Sequence, residues 1–176
     1  MSDVAASGPC SVELVFDAHT DARVRDEWQA LADRSLSSLA AHPSPSNRPH
    51  ITLVEGMPQA ALGTLPLEPF DITLGPPILF GSGTRRVLAR SVVPSRELLE
   101  LRAGVLERSG ATEQVPWTPH VTLARRLQLA SLAQALELVT GEIDGVAVAV
   151  RSWNSETHEL TVLSEPSPGR PPVSRR

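Results

Sequence analysis

The sequence predicts an α+β fold of antiparallel sheet flanked by helices. Strand-like and helix-like runs alternate in the order β-α-β-β-β-α-β-α-β-β, hairpins are interleaved with helices, and the signatures of a parallel nucleotide-binding sheet are missing. No Gly-x-Gly-x-x-Gly opens a helix after a strand, and a Gly-x-x-x-x-Gly-Lys loop is impossible because the chain has no lysine. Its 176 residues suffice for one domain or two closely packed lobes. With 41% apolar residues and a net charge of −4, the chain falls in the globular class and outside the disordered one.

Each element has a local reason. Ser11–Phe16 alternates with Val12, Leu14 and Phe16 on one face and reads as a strand. Thr20 or Asp21 offers a helix N-cap, and Val24, Trp28, Leu31 and Leu39 recur at helical spacing as far as Ala41. Three prolines between His42 and Pro49 dictate a loop, after which His50–Glu55 reads as a strand. Asp71–Leu74 and Ile78–Phe80, broken by Pro76 and Pro77, predict one bent or bulged strand, paired across Gly81–Gly83 with Arg86–Val93. Ser95 caps a helix carrying Leu98, Leu99, Val105 and Leu106 that Gly110 ends. Pro119–Ala124 is a further strand, Ser131–Val139 a helix closed by Gly141, and Ile143–Val150 and His158–Leu163 are the last two strands. Residues 1–163 thus form one folded unit, while 164–176, with four prolines and few apolar side chains, read as a mobile tail.

Composition narrows the classes of function. No run of about 18 apolar residues exists, and the first residues have neither a basic nor an apolar signal region, so neither a membrane span nor a leader is expected. A single cysteine, Cys10, makes no internal disulfide and no thiolate metal site, which points to the reducing cytoplasm. The acidic balance argues against a duplex DNA-binding stripe, and a monomer is expected.

The strongest signal is an internal echo. Pro49-His50-Ile51-Thr52-Leu53 returns seventy residues later as Pro119-His120-Val121-Thr122-Leu123. On a strand, residues two apart share a face, so each copy presents an imidazole beside a hydroxyl while its aliphatic residues turn to the core. Two half-repeats related by an approximate two-fold would bring the pairs face to face across a cleft. In-line phosphodiester chemistry needs a base for the attacking oxygen and an acid for the departing one, and histidine supplies both forms near neutral pH. The threonine hydroxyls would then donate to the non-bridging phosphate oxygens.

On these residues the sequence resembles the 2H phosphoesterases, specifically the proteins known as 2′-5′ RNA ligase or RNA 2′,3′-cyclic phosphodiesterase. The likeness extends from the strand Val12–Phe16 and the helix around Trp28 through both Pro-His-x-Thr-Leu strands and the hairpin and helix between them. It implies two pseudo-symmetric lobes around a central cleft, with His50, Thr52, His120 and Thr122 as the catalytic residues. It further implies hydrolysis of a 2′,3′-cyclic phosphate or related nucleotide or RNA phosphodiester without metal or other cofactor, with 2′-5′ ligation as the reverse reaction. In relatives a basic or aromatic residue five positions after the second histidine contacts the phosphate. That position is Arg125 here, whereas strict alternation puts Arg126 on the cleft face. The first motif has Glu55 at the same offset and adds no positive charge there, which favours a nucleotide-sized substrate over an extended RNA.

Arg48, just before Pro49, is a further candidate phosphate contact, and Trp117 and Phe16 are candidate platforms for a nucleobase. His19, His42 and His158 have no metal-ligand spacing and read as solvated surface. A catalytically weak nucleotide- or RNA-binding module of the same fold is the alternative reading.

Overall fold

Strand β1 (Cys10–Phe16) runs through Asp17 into helix α1 (Ala18–Asp33). Asp17, not Thr20 or Asp21, is the N-cap: its Oδ1 accepts the Thr20 amide at 2.9 Å. The two residues the sequence offered as caps are used elsewhere. Thr20 Oγ1 accepts the Val146 amide at 3.2 Å, a seat so close that a Cβ on neighbouring Gly145 would lie 2.3 Å from that oxygen. The helix also ends earlier than its apolar spacing predicts. Ser35 takes a left-handed φ of 57°, its amide donates to Ala32 O, and the Leu36 amide donates to Leu31 O. This 5→2 and 6→1 pair closes the helix at Asp33, and Leu36 and Leu39 reach the core from outside it.

The structure is a computed structural model that describes residues 8–166 except 43, 45, 58–61 and 111–115. After α1 come β2 (His50–Met57), β3 (Leu65–Leu67), β4 (Phe70–Phe80), β5 (Arg85–Val92) and α2 (Arg96–Ser109). The chain continues through β6 (His120–Gln128), α3 (Leu132–Leu136), β7 (Ile143–Asn154), β8 (Leu160–Val162) and β9 (Ser164–Pro166). Six strands form an antiparallel path β2-β1-β7-β4-β5-β6, and β8 adds to β7 as the seventh. The α+β antiparallel architecture is therefore as predicted. Strands β3 and β9 pair in parallel, so Ser164–Pro166, placed in the tail by the sequence, form a strand of the fold; residues 167–176 lie outside the described residues.

The twelve-residue strand β7 is the seam. Its C-terminal part pairs with β1 and its N-terminal part with β4, Ala147 standing opposite both Phe16 and Phe70. On either side lies a strand-helix-strand unit, β1-α1-β2 and β5-α2-β6, and their registers match residue for residue. Thr52 pairs with Glu13 as Thr122 pairs with Ala89; His50 pairs with Val15 as His120 pairs with Ser91. Both histidine strands bulge at the same two places: between the partners of Val12 and Glu13 and of Leu88 and Ala89, and again before Met57 and Leu127. The echo seen in the sequence is thus a structural duplication down to its irregularities.

One apolar cluster runs beneath both units. It includes Val12, Leu14, Phe16 and Ile51 from the first and Leu88, Val121 and Leu123 from the second; α1 adds Val24, Trp28 and Leu31, and α2 adds Leu98 and Val105. No helix among the described residues is long and apolar enough to cross a membrane.

Candidate active site

The two end strands of the sheet path, β2 and β6, carry the repeated His-x-Thr and approach each other across the fold. Their burial alternates alike: His50, Thr52, His120 and Thr122 are half-buried, while Ile51, Leu53, Val121 and Leu123 are in the core. The alternation expected from period two is realised in both copies.

Each imidazole is held the same way. His50 Nδ1 lies 2.7 Å from Arg48 O, and His120 Nδ1 lies 2.8 Å from Thr118 O. A carbonyl oxygen only accepts, so Nδ1 carries a proton in both rings and Nε2 is left as the working atom. Beyond that shared bond the two sites differ. His50 Nε2 is 3.6 Å from Glu13 Oε1, whereas the His120 ring packs against Phe80 with centroids 4.5 Å apart. Glu13 is 5% exposed and its other oxygen accepts from Arg151 Nε at 2.8 Å. Arg151 is buried too, and its Nη2 donates to Ser46 O at 3.0 Å. Ala89 stands where Glu13 would be in the second unit, so no carboxylate faces His120 from that position.

The arginines divide. Both Arg125 and Arg126 are exposed. Strict alternation would put Arg126 beside Thr122, but the bulge at Leu123 leaves Ala124 opposite buried Leu88. Carried past the bulge, the same alternation points to Arg125 rather than Arg126 for the face of His120 and Thr122. Arg48 is partly committed within the fold: its Nε donates to Asp21 Oδ2 at 2.8 Å and its Nη2 to Phe16 O at 3.1 Å. These bonds tie the histidine loop to α1.

The aromatic candidates are also redirected. Phe16 has no exposed surface, so the structure rules it out as a stacking platform. Trp117 is half-buried, with its indole N–H donating to Thr52 O at 3.0 Å and the Arg102 guanidinium 4.4 Å from its ring centroid. One ring face and the polar edge are therefore occupied. Sequence reasoning missed Glu13 and Phe80 as neighbours of the histidines. A charged residue inside the run Val12-Glu13-Leu14-Val15-Phe16 was the available signal for the first; Phe80 needed the hairpin register.

His19, His42 and His158 are exposed, as expected. Among the described residues no three His, Cys, Asp or Glu side chains form a group able to hold a metal ion. Two hollows of about 490 Å³ lie away from the histidines, one lined by Cys10, Asn154 and Thr161 and one by Leu101, Gly104 and Arg108.

Comparison with known proteins agrees with this architecture. A family model described as the 2′-5′ RNA ligase superfamily matches residues 17–157. No curated protein matches the chain by sequence. Among solved structures, E. coli LigT complexed with 3′-AMP is 14% identical with a TM-score of 0.56, covering 84% of this chain and 87% of its own. E. coli LigT in apo form is 18% identical at a TM-score of 0.54, over 89% of this chain and 96% of that one. Usb1 of Kluyveromyces marxianus is 14% identical at 0.53, over 89% and 98%.

Proposed function

The chain belongs to the 2′-5′ RNA ligase superfamily, and from that premise we propose that it is a phosphodiesterase that opens a 2′,3′-cyclic phosphate on a nucleotide or RNA end. The reading rests on one observation: the same His-x-Thr stands on two approaching edge strands with the same bulges, a pair of half-sites suited to one phosphorus.

The surroundings of the two rings support distinct roles. His120 with Nδ1 protonated presents an Nε2 lone pair, the form a general base requires. A carboxylate, Glu13, stands 3.6 Å from His50 Nε2 and none stands at the matching position beside His120, and on that difference we assign the general acid to His50. His120 Nε2 takes a proton from water, whose oxygen attacks phosphorus. The bond from phosphorus to the ribose 3′ oxygen breaks, and that oxygen receives a proton from His50 Nε2, leaving a 2′-phosphomonoester. Thr52 and Thr122 donate to the non-bridging oxygens, and Arg125 supplies positive charge from the second half only. Glu55 holds the equivalent place in the first, which fits a nucleotide-sized substrate.

The test is turnover of 2′,3′-cyclic nucleotides and short cyclic-phosphate-ended RNAs in excess EDTA, with product regiochemistry read by phosphorus NMR. We expect 2′-phosphate and no effect of the chelator, because acid and base are both imidazoles. A rate lost with EDTA and restored by one divalent metal would refute the mechanism. Saturable binding of nucleotide monophosphates without turnover would identify the chain as a binding module.

Thr52→Val and Thr122→Val test the hydroxyls, since valine keeps the branched shape and removes the donor. Each variant is expected to lose up to about 10²–10³ in kcat, the range for one oxyanion donor, with an unchanged unfolding midpoint. An equal drop in stability would make the threonines structural.

A further inference from the structure

The two half-sites are held to each other by a pair of crossed indole hydrogen bonds. Trp28, on α1 of the first unit, donates its Nε1–H to Thr122 O of the second at 3.1 Å. Trp117, three residues before His120 in the second unit, donates its Nε1–H to Thr52 O of the first at 3.0 Å. Each bond ends on the backbone of the threonine whose hydroxyl is assigned to the phosphate. We infer that Trp28 and Trp117 are positioning residues that fix the spacing of the two His-x-Thr pairs, each acting on the opposite half-site.

Strand topology explains why such a clasp is needed. β2 and β6 are the end strands of the sheet path and, among the described residues, each has a single hydrogen-bonded neighbour, β1 or β5. The sheet connects them only the long way round, through β1, β7, β4 and β5. An edge strand leaves alternate carbonyls without a ladder partner, and here those of Thr52 and Thr122 are taken up by indoles from across the fold. Arg102 of α2 adds a third crossing bond, Nε to Leu53 O at 3.1 Å, and lies over the Trp117 ring. The crossing is reciprocal: α1 packs against β6 and α2 against β2. In-line displacement needs base and acid on opposite sides of one phosphorus, and a misplacement of about 1 Å can reduce the rate by 10².

The inference deepens the proposed activity and rests on it for its kinetic readout. Trp117→Phe keeps a ring under Arg102 and removes only the N–H; it is expected to lower kcat roughly two- to ten-fold, the scale of one hydrogen bond, with nucleotide monophosphate affinity unchanged. The decisive result is the pattern of coupling. Trp117→Phe should cost little more when Thr52 is already Val, yet its full factor when Thr122 is Val; Trp28→Phe should show the mirror image. The same factor in both backgrounds would overturn the inference. Amide hydrogen exchange reads the clasp without any turnover: Trp117→Phe should speed exchange in β2 and Trp28→Phe in β6. Loosening confined to each tryptophan's own unit would refute it, even in a protein active on cyclic phosphates. Crossed loosening in a protein inactive on them would uphold the clasp and reject the activity. Should Trp28→Phe, at a buried site, fail to fold, the Trp117 arm decides alone.

Discussion

His50→Ala and His120→Ala are each expected to lose roughly 10²–10⁴ in kcat on a 2′,3′-cyclic nucleotide, and to part company when the leaving group is changed. 4-Nitrophenolate departs without a proton, so a nucleotide 4-nitrophenyl phosphodiester makes no demand on a general acid. On that substrate His50→Ala should recover most of the wild-type rate, while His120→Ala, which has lost the group that activates water, should remain slow. The assignment follows from the different environments of otherwise matched rings, Glu13 Oε1 at 3.6 Å from His50 Nε2 and the Phe80 ring against His120. Recovery by His120→Ala instead would reverse the roles. Full activity of both variants on both substrates would remove the repeated motif from the chemistry. The double variant should lose far less than the product of the singles, because acid and base act on one displacement.

The candidate site was legible because its motif is repeated: two copies of Pro-His-x-Thr-Leu on period-two strands stand out, and the structure aligns them register for register. Where the sequence misled, a local rule was overridden by a tertiary one. Strict alternation favours Arg126, but a bulge shifts the phase and points to Arg125. Apolar spacing carries the helix at Trp28 on through Leu39 to Ala41, yet Ser35 turns left-handed and Leu39 reaches the core from a 3-10 turn at Leu39–Ala41. Arg48 and Phe16 stand close in sequence to the right places, and only side-chain packing reveals that one is bound to Asp21 and the other is sealed in the core. The three-residue strands β3 and β9 carry no periodicity long enough to be read. Glu13 was legible as an anomaly, but its meaning depends on Arg151, far along the chain on the neighbouring strand.

Glu27→Ala is expected to remove about 3–5 kcal/mol of stability, the range for breaking a buried ion pair by deleting one member. Arg90 on β5 has no exposed surface, and all its donors are used: Nε and Nη2 on the Glu27 carboxylate, Nη1 on Gly75 O at 2.9 Å and Gly141 O at 2.8 Å, and Nη2 also on Thr140 O at 3.0 Å. Without Glu27 the guanidinium keeps its three carbonyls and loses its one anionic partner among the described residues. For a chain of this length the loss corresponds to a fall in unfolding midpoint of roughly 6–20 °C. The position tolerates an apolar residue in principle, because its counterpart in the first unit, by register, is buried Leu14. Replacing both partners, Arg90→Leu with Glu27→Leu, should therefore recover part of the deficit, the remainder reporting the three carbonyls left without a donor. Urea unfolding with an unchanged m-value measures each loss. Below its own unfolding range Glu27→Ala should keep a near-normal kcat, since the side-chain bonds of Arg90 end on Glu27, Gly75, Thr140 and Gly141 and none ends on His50, His120 or their threonines. A loss under about 1 kcal/mol would mean that the pair is solvated and behaves as a surface one.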